Sequence, residues 1–163
     1  MAISKTAVRP LDRIDRRILR TLQDDGRISY VDLAAKVGLS TSPCLERVKR
    51  LEKEGYIRGY AAQLEPSLLE AGLLVFVEIS LNYTSPQIFE EFKRALLTLP
   101  EVLECHLVSG DYDYLIKARI ANMAAYRQLL GEILQVLPAV RNSRTLVVME
   151  EVKETGRLPI PER

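Results

Sequence analysis

The sequence predicts an α+β protein in two parts, and three observations predict it. Residues 11–55 repeat apolar positions at helical spacing, interrupted by Gly and Ser turns. From Leu73 the pattern changes to short apolar runs and two helical stretches in the order β-α-β-β-α-β. Charge changes along the same division. Residues 1–63 hold 13 Lys and Arg against 8 Asp and Glu, whereas residues 64–163 hold 10 against 14. The reading is a basic N-terminal domain over 1–63 and an acidic second domain over 64–163.

The first helix starts at Asp12, a good N-cap, with Asp15 favouring the helix dipole. Ile14, Ile18, Leu19 and Leu22 form its buried stripe. Ser29 opens a second helix with Asp32 in the position of a capping box, and Val31, Leu33, Ala34 and Val37 point inward. Gly38 is placed to take the left-handed conformation that stops a helix. A third helix begins at Ser40, tolerates Pro43 in its first turn and buries Cys44, Leu45, Val48 and Leu51. Leu39 precedes the cap and is placed to pack on Cys44. Gly55 ends this helix, and residues 56–62 read as a short hairpin, a wing, with an exit strand after it. Two short helices joined at Gly38-Leu39-Ser40 form a helix-turn-helix, whose second helix can enter a DNA major groove.

In the second domain, residues 73–81 form a strand, and Ser85-Pro86 starts a helix with Phe89, Phe92, Leu96 and Leu99 at helical spacing. Strands over 102–108 and 114–120 flank a turn at Ser109-Gly110-Asp111. Asn122 caps a helix with Tyr126, Leu130, Ile133, Leu134 and Leu137 inward; Pro138 breaks it, and 144–150 is the last strand. This order is the ferredoxin-like sandwich, with helices on one face of the sheet. The first strand is apolar at nearly every position, so its other face is expected to be covered by a second copy of the chain. The last eleven residues, with two prolines and a glycine, are expected to form an extended arm, and the first eight to be disordered.

Several function classes are excluded. No apolar run is long enough for a membrane span, and the N-terminus lacks the apolar core of a signal peptide. One His and no Cys-x-x-Cys spacing argue against a metal site. Cys44 and Cys105 read as small buried residues in a reducing cytoplasm. His106 stands in a strand without a nucleophile or metal partner and reads as structural. No catalytic constellation is visible, so the chain is not expected to be an enzyme or to need a cofactor.

For DNA, the outward face of the third helix carries Ser40, Thr41, Ser42, Pro43, Glu46, Arg47, Lys49 and Arg50. Arg47 and Arg50 share one face and can grip a guanine edge or a phosphate. Their bland alternative is a solvated face, paired with Glu46 and Glu54. Ser40, Thr41 and Ser42 sit where first-turn amides and hydroxyls take phosphate.

The chain resembles the Lrp/AsnC family of transcription regulators. The resemblance rests on LDRIDRRIL, TSPCLERVKRLEKEGYI, LLVFVEISL, ECHLVSGDYDYLIKARI, AYRQLLGE and VVMEEVK, in this order over nearly the whole chain. It implies a winged helix-turn-helix joined to a ligand-sensing domain, with dimers assembling into tetramers, octamers or larger forms. An amino acid, leucine or another, would bind between dimers at the turn of Gly110, Asp111, Tyr112 and Asp113. Its implied neighbours are Leu107, Met123, Gln135, Val147 and Val148, with Gln135 favouring a polar effector. The turn residues are also what any hairpin needs. The partners implied are double-stranded DNA, a free amino acid and further copies of the chain, in the cytoplasm at the nucleoid. A DNA-wrapping architectural protein without an obligatory ligand is the alternative.

Overall fold

The computed structural model describes residues 9–83 and 85–161; the expectation for the first eight residues lies outside the described part. The chain divides into two compact units, 1–63 with 154–163, and 64–153. The C-terminal segment therefore groups with the first unit, not with the second domain to which the sequence assigned it. Its polar contacts reach the first helix, a pairing across more than 130 residues that no local pattern signals.

The first unit contains α1 (Arg13–Asp24), α2 (Tyr30–Val37) and α3 (Thr41–Lys53). At the start of α1 the Asp15 amide donates to Asp12 at 2.8 Å and the Asp12 amide to Asp15 at 3.1 Å. Two orphan amides of the first turn are thus satisfied reciprocally. The Ser29 side chain caps α2. Gly38 ends it at φ 77, a conformation that costs other residues a Cβ–carbonyl clash. Ile18, Leu33, Val37, Cys44, Val48 and Leu51 form the buried centre, and Leu39 packs against it. Val31, expected inward, is 65% exposed. The helix is only eight residues long, and Leu33, Ala34 and Val37 already fill its inner face.

The expected wing hairpin and exit strand over 56–65 are absent as regular elements. Side chains pin part of this segment instead: the Tyr60 hydroxyl donates to Glu52 and the Tyr56 hydroxyl to the Arg9 carbonyl, each at 3.1 Å. An isolated two-stranded hairpin is marginal in water, and the described residues of this unit offer no strand for 56–65 to pair with.

The second unit begins with a 3-10 turn at Pro66–Leu69. It continues through β1 (Leu73–Leu81), α4 (Pro86–Leu96), β2 (Val102–Leu107), β3 (Tyr114–Ile120), α5 (Met123–Val136) and β4 (Val140–Val147). The sheet order is β2-β3-β1-β4 and every neighbouring pair is antiparallel. Val75, Val77, Ile79, Ile116 and Ala118 share a core with Phe92, Leu129, Ile133 and Leu137. Phe92 stacks on Tyr114 with ring centroids 4.0 Å apart.

Two details differ from the sequence reading. The last strand starts at Val140, not at 144, because Ala139 turns the chain at φ 58 and the strand follows at once. Its first half, Arg141-Asn142-Ser143, is polar and hides the strand from a hydrophobicity pattern. On α5, Leu129 is buried and Leu134 is 47% exposed. The inward stripe runs Tyr126, Leu129, Ile133, Leu137, and Leu134 falls one position past it.

The apolar run of β1 serves both sheet faces. The helix-covered face takes Val75, Val77 and Ile79. The other takes Leu74, Phe76 and Glu78, beside the β3 residues Leu115 and Lys117 and the β4 residues Leu146 and Arg144. On that face Lys117 pairs with Glu104 at 3.2 Å, and buried Arg119 pairs with Glu151 at 2.5 Å.

Phe92→Ala is expected to cost about 3–5 kcal/mol, since it leaves a cavity beneath the sheet and removes the stack on Tyr114. Urea unfolding followed by circular dichroism measures it; a loss below about 1 kcal/mol contradicts this account of the core.

Candidate nucleic-acid interface and effector site

On α3, Ser42, Glu46, Lys49 and Lys53 recur at positions i, i+4, i+7 and i+11 and are all exposed. They form one continuous polar stripe on a helix whose opposite face is held by Cys44, Val48 and Leu51. Thr41 and Pro43 are exposed beside it. Ser40 occupies the N-cap position without a side-chain cap bond, so its hydroxyl is not spent on capping.

Arg47 and Arg50 are arranged differently from the sequence reading. Both turn back to the start of α1. Arg47 Nη1 lies 2.5 Å from Asp12 Oδ2 and 2.8 Å from Asp15 Oδ1. Arg50 Nη2 lies 2.6 Å from the same Asp15 oxygen, and its Nη1 is 3.8 Å from Glu54. Asp15 is fully buried, and the two arginine side chains keep 28% and 21% of their exposure. The sequence weighed Glu46 and Glu54 as internal partners; the principal partners are instead acids 32 and 35 residues away.

The electrostatics follow from this clustering. Burial pushes the Asp15 carboxyl up, but hydrogen bonds from Arg50, the Asp12 amide and Arg47 outweigh it and hold the group below the ordinary carboxylate range. Asp12 behaves alike, burial being overcome mainly by Arg47. The hydrogen bonds that Arg47 donates to Asp12 and Arg50 donates to Asp15 raise the pKa of each guanidinium. The carboxylates stay ionised and the guanidiniums stay charged, so the cluster is a fixed ionic joint between α1 and α3.

In the second unit the turn residues Gly110 and Asp111 are exposed, and Tyr112 and Asp113 are half-buried. Gly110 adopts φ 145. Asp113 closes the end of the sheet. Its Oδ2 accepts the Leu81 amide at 2.7 Å, its amide donates to the Ile79 carbonyl and its carbonyl accepts from Val108, each at 2.9 Å. The side chain expected to meet an ammonium group therefore also holds β1, through one of its two oxygens.

The remaining effector candidates separate into two groups. Leu107 pairs with Tyr114 beside the turn, and Leu81 at that end pairs with Val140, just after α5 has delivered exposed Gln135. Val147 pairs with Val75, and the Val148 amide donates to the Leu74 carbonyl. Those contacts lie at the other end of β1, about 13 Å from Ile79 at strand rise. Met123 opens α5 just past Ile120, which pairs with Leu73, so it belongs to this far end. Within one chain the structure brings Leu107, the turn and Gln135 to one end, and Met123, Val147 and Val148 to the other.

Residues 74–158 match the family description of the Lrp/AsnC ligand binding domain, and residues 11–58 match a winged helix-turn-helix DNA-binding domain. The chain belongs to the Lrp/AsnC family. It is 61% identical to the leucine-responsive regulatory protein of Escherichia coli K12 over 153 residues, 94% of this chain and 93% of that protein. An AsnC family transcriptional regulator from Agrobacterium tumefaciens superposes with a TM-score of 0.88 at 37% identity, covering 91% of this chain and 97% of the other. A transcriptional regulator from Neisseria meningitidis, solved in complex with L-methionine, superposes with a TM-score of 0.86 at 37% identity over 92% and 97%. Family membership gives the two units their tasks: the first is a DNA-binding domain and the second a ligand-binding domain of a transcription regulator. Among the described residues no helix is long and apolar enough to cross a membrane, and no cluster of His, Cys, Asp or Glu is arranged to hold a metal.

The acids that anchor α3 were legible in the sequence only as helix caps. The Asp12-x-x-Asp15 spacing signals a cap, and nothing in it signals the two arginines.

Asp15→Asn is expected to destabilise the DNA-binding unit by about 2 kcal/mol, because two guanidiniums lose their shared charge and the capping box loses a carboxylate. Thermal denaturation measures it. The pH dependence has a definite sign. A carboxyl whose folded pKa lies below its unfolded value of about 3.9 stabilises the fold above that value and loses this contribution as pH falls through the folded one. Wild-type stability should therefore fall below about pH 4 more steeply than that of Asp15→Asn.

Proposed function

We propose that the protein is a sequence-specific DNA-binding transcription regulator of amino-acid metabolism genes, controlled by a free amino acid held between dimers. The observation that carries the DNA half is the exposed Ser42, Glu46, Lys49 and Lys53 stripe on a helix fixed to its unit by an ionic joint. Lys49 and Lys53 supply phosphate attraction, Ser42 and Glu46 supply hydrogen-bonding groups, and Ser40 and Thr41 meet the backbone at the helix N-terminus. Arg47 and Arg50 then act by setting the angle of α3. Their partial exposure leaves room for phosphate contact from the rim of the joint.

The effector half rests on family membership and on the two ends of the sheet. An amino acid at the turn would place its ammonium near Asp113 and its carboxylate near the amides of 110–112. Gln135 stands at the same end to meet its side chain. Met123, Val147 and Val148 complete a pocket only if a neighbouring chain brings its far end to this turn. That requirement fits an effector bound between dimers. It makes assembly and binding one linked equilibrium, shifted only by differential affinity for one assembly state. L-methionine, present in the Neisseria relative, and L-leucine are the first ligands to test.

Lys49→Ala is expected to weaken DNA binding several-fold for all sequences and to lower the slope of log affinity against log salt by about 1. Gel-shift titrations at several salt concentrations decide it; an unchanged slope removes the stripe from the interface.

Asp113→Asn keeps a carbonyl acceptor for the Leu81 amide while removing the charge. It is expected to weaken amino-acid binding at least tenfold, by titration calorimetry, without lowering DNA affinity. Gln135→Leu should shift preference from polar towards apolar amino acids. If Asp113→Asn binds L-methionine and L-leucine as the wild type does, the ammonium site lies elsewhere.

A further inference from the structure

Residues 154–161 contain no helix or strand, yet they run along α1 in step with it. Arg157 Nη1 pairs with Asp24 Oδ1 at 2.9 Å. Gln23 brackets the Leu158 backbone, donating from Nε2 to its carbonyl at 3.1 Å and accepting its amide through Oε1 at 2.7 Å. Arg20 donates to the Ile160 carbonyl through Nε at 3.3 Å and Nη2 at 2.9 Å. Arg16 Nη1 donates to the Pro161 carbonyl at 3.3 Å. The partners descend along α1 as the arm advances, so the arm runs antiparallel to the helix.

The lengths agree. From Arg16 to Gln23 the helix rises about 10.5 Å. From Leu158 to Pro161 an extended proline-rich chain spans about 9 Å. Pro159 and Pro161 fix their own φ and hold Leu158 and Ile160 extended, so little chain entropy remains to be lost on docking. They also remove two amides that would otherwise need partners, leaving carbonyls as the handles that α1 grips. A groove formed by Leu19, Leu22, Tyr56 and Ile57 lies beneath this stretch. Ile160 alone among residues 154–161 is half-buried, the others being exposed.

We propose that this groove is a peptide-binding surface of the DNA-binding unit and that its occupant is the chain's own C-terminal arm. The Gln23 bracket, the carbonyl bonds from Arg16 and Arg20, and Ile160 are the recognition elements. Backbone carbonyls and one apolar anchor are what an extended peptide offers to such a surface. Because the arm continues from β4, the DNA-binding unit is tied to the ligand-binding unit at two places, after Gln63 and after Lys153. The arm also holds α1, the helix that carries the ionic joint to α3.

Amide hydrogen exchange of residues 16–23 tests this in the full-length protein. Ile160→Asp and Gln23→Ala should each speed exchange across 16–23 at least tenfold while the core amides of the ligand-binding unit stay unchanged. Exchange within twofold of wild type in either variant overturns the proposal. A chain ending at Lys153 gives an independent measurement. Its faster α1 exchange should slow again on adding a synthetic peptide of residues 154–163, and the same peptide carrying Ile160→Asp should be inert. Equal slowing by both peptides refutes specific occupancy of the groove.

Discussion

The carboxylate of Asp15 is the point on which the DNA-binding unit turns. It is buried at the first turn of α1, where it completes a reciprocal cap with Asp12 and receives guanidinium groups from Arg47 and Arg50 on α3. A buried carboxylate without such partners would be costly; with them it stays charged and fixes the position of two helices against each other. The direction of α3, and so the direction of its exposed stripe, depends on this joint as well as on the apolar contacts of Cys44, Val48 and Leu51. Recognition helices need that rigidity, since a small tilt moves every side chain relative to a base edge.

In the ligand-binding unit the same economy of groups recurs. Asp113 is a turn residue by position, a sheet-closing acceptor through Oδ2 and, in the proposed function, the ammonium partner of an effector. A group with both tasks couples them: ligand at the turn bears on the Leu81 amide at the end of β1. The other candidates lie at opposite ends of the sheet within one chain, so in the proposed function a complete pocket requires a second chain, and a ligand bound there would favour the assembly that forms it.

The C-terminal arm adds a second kind of constraint. Short, proline-bearing and gripped through its carbonyls, it contributes few apolar contacts, yet it braces α1 along the flank of a helix core that is itself small. A three-helix unit of this size has little interior to spare, and added contacts along α1 matter more there than in a large domain.

The sequence by itself determined the order of the elements and most of their ends. Asp12, Ser29, Gly38, Ser85 and Asn122 act at the caps and stops their chemistry predicts, because capping is decided within a few residues. The family was legible too, since its motifs are contiguous stretches. Tertiary structure decided what depended on distant partners. It drew Arg47 and Arg50 to acids more than 30 residues away, left 56–65 without a ladder, started β4 in a polar stretch at Val140 and joined the arm to α1. It also parted Val147 and Val148 from the turn, because strand register, and not sequence spacing, sets which ends of a sheet meet. Local chemistry fixes where a helix begins; only the packed chain fixes which charge its side chains find.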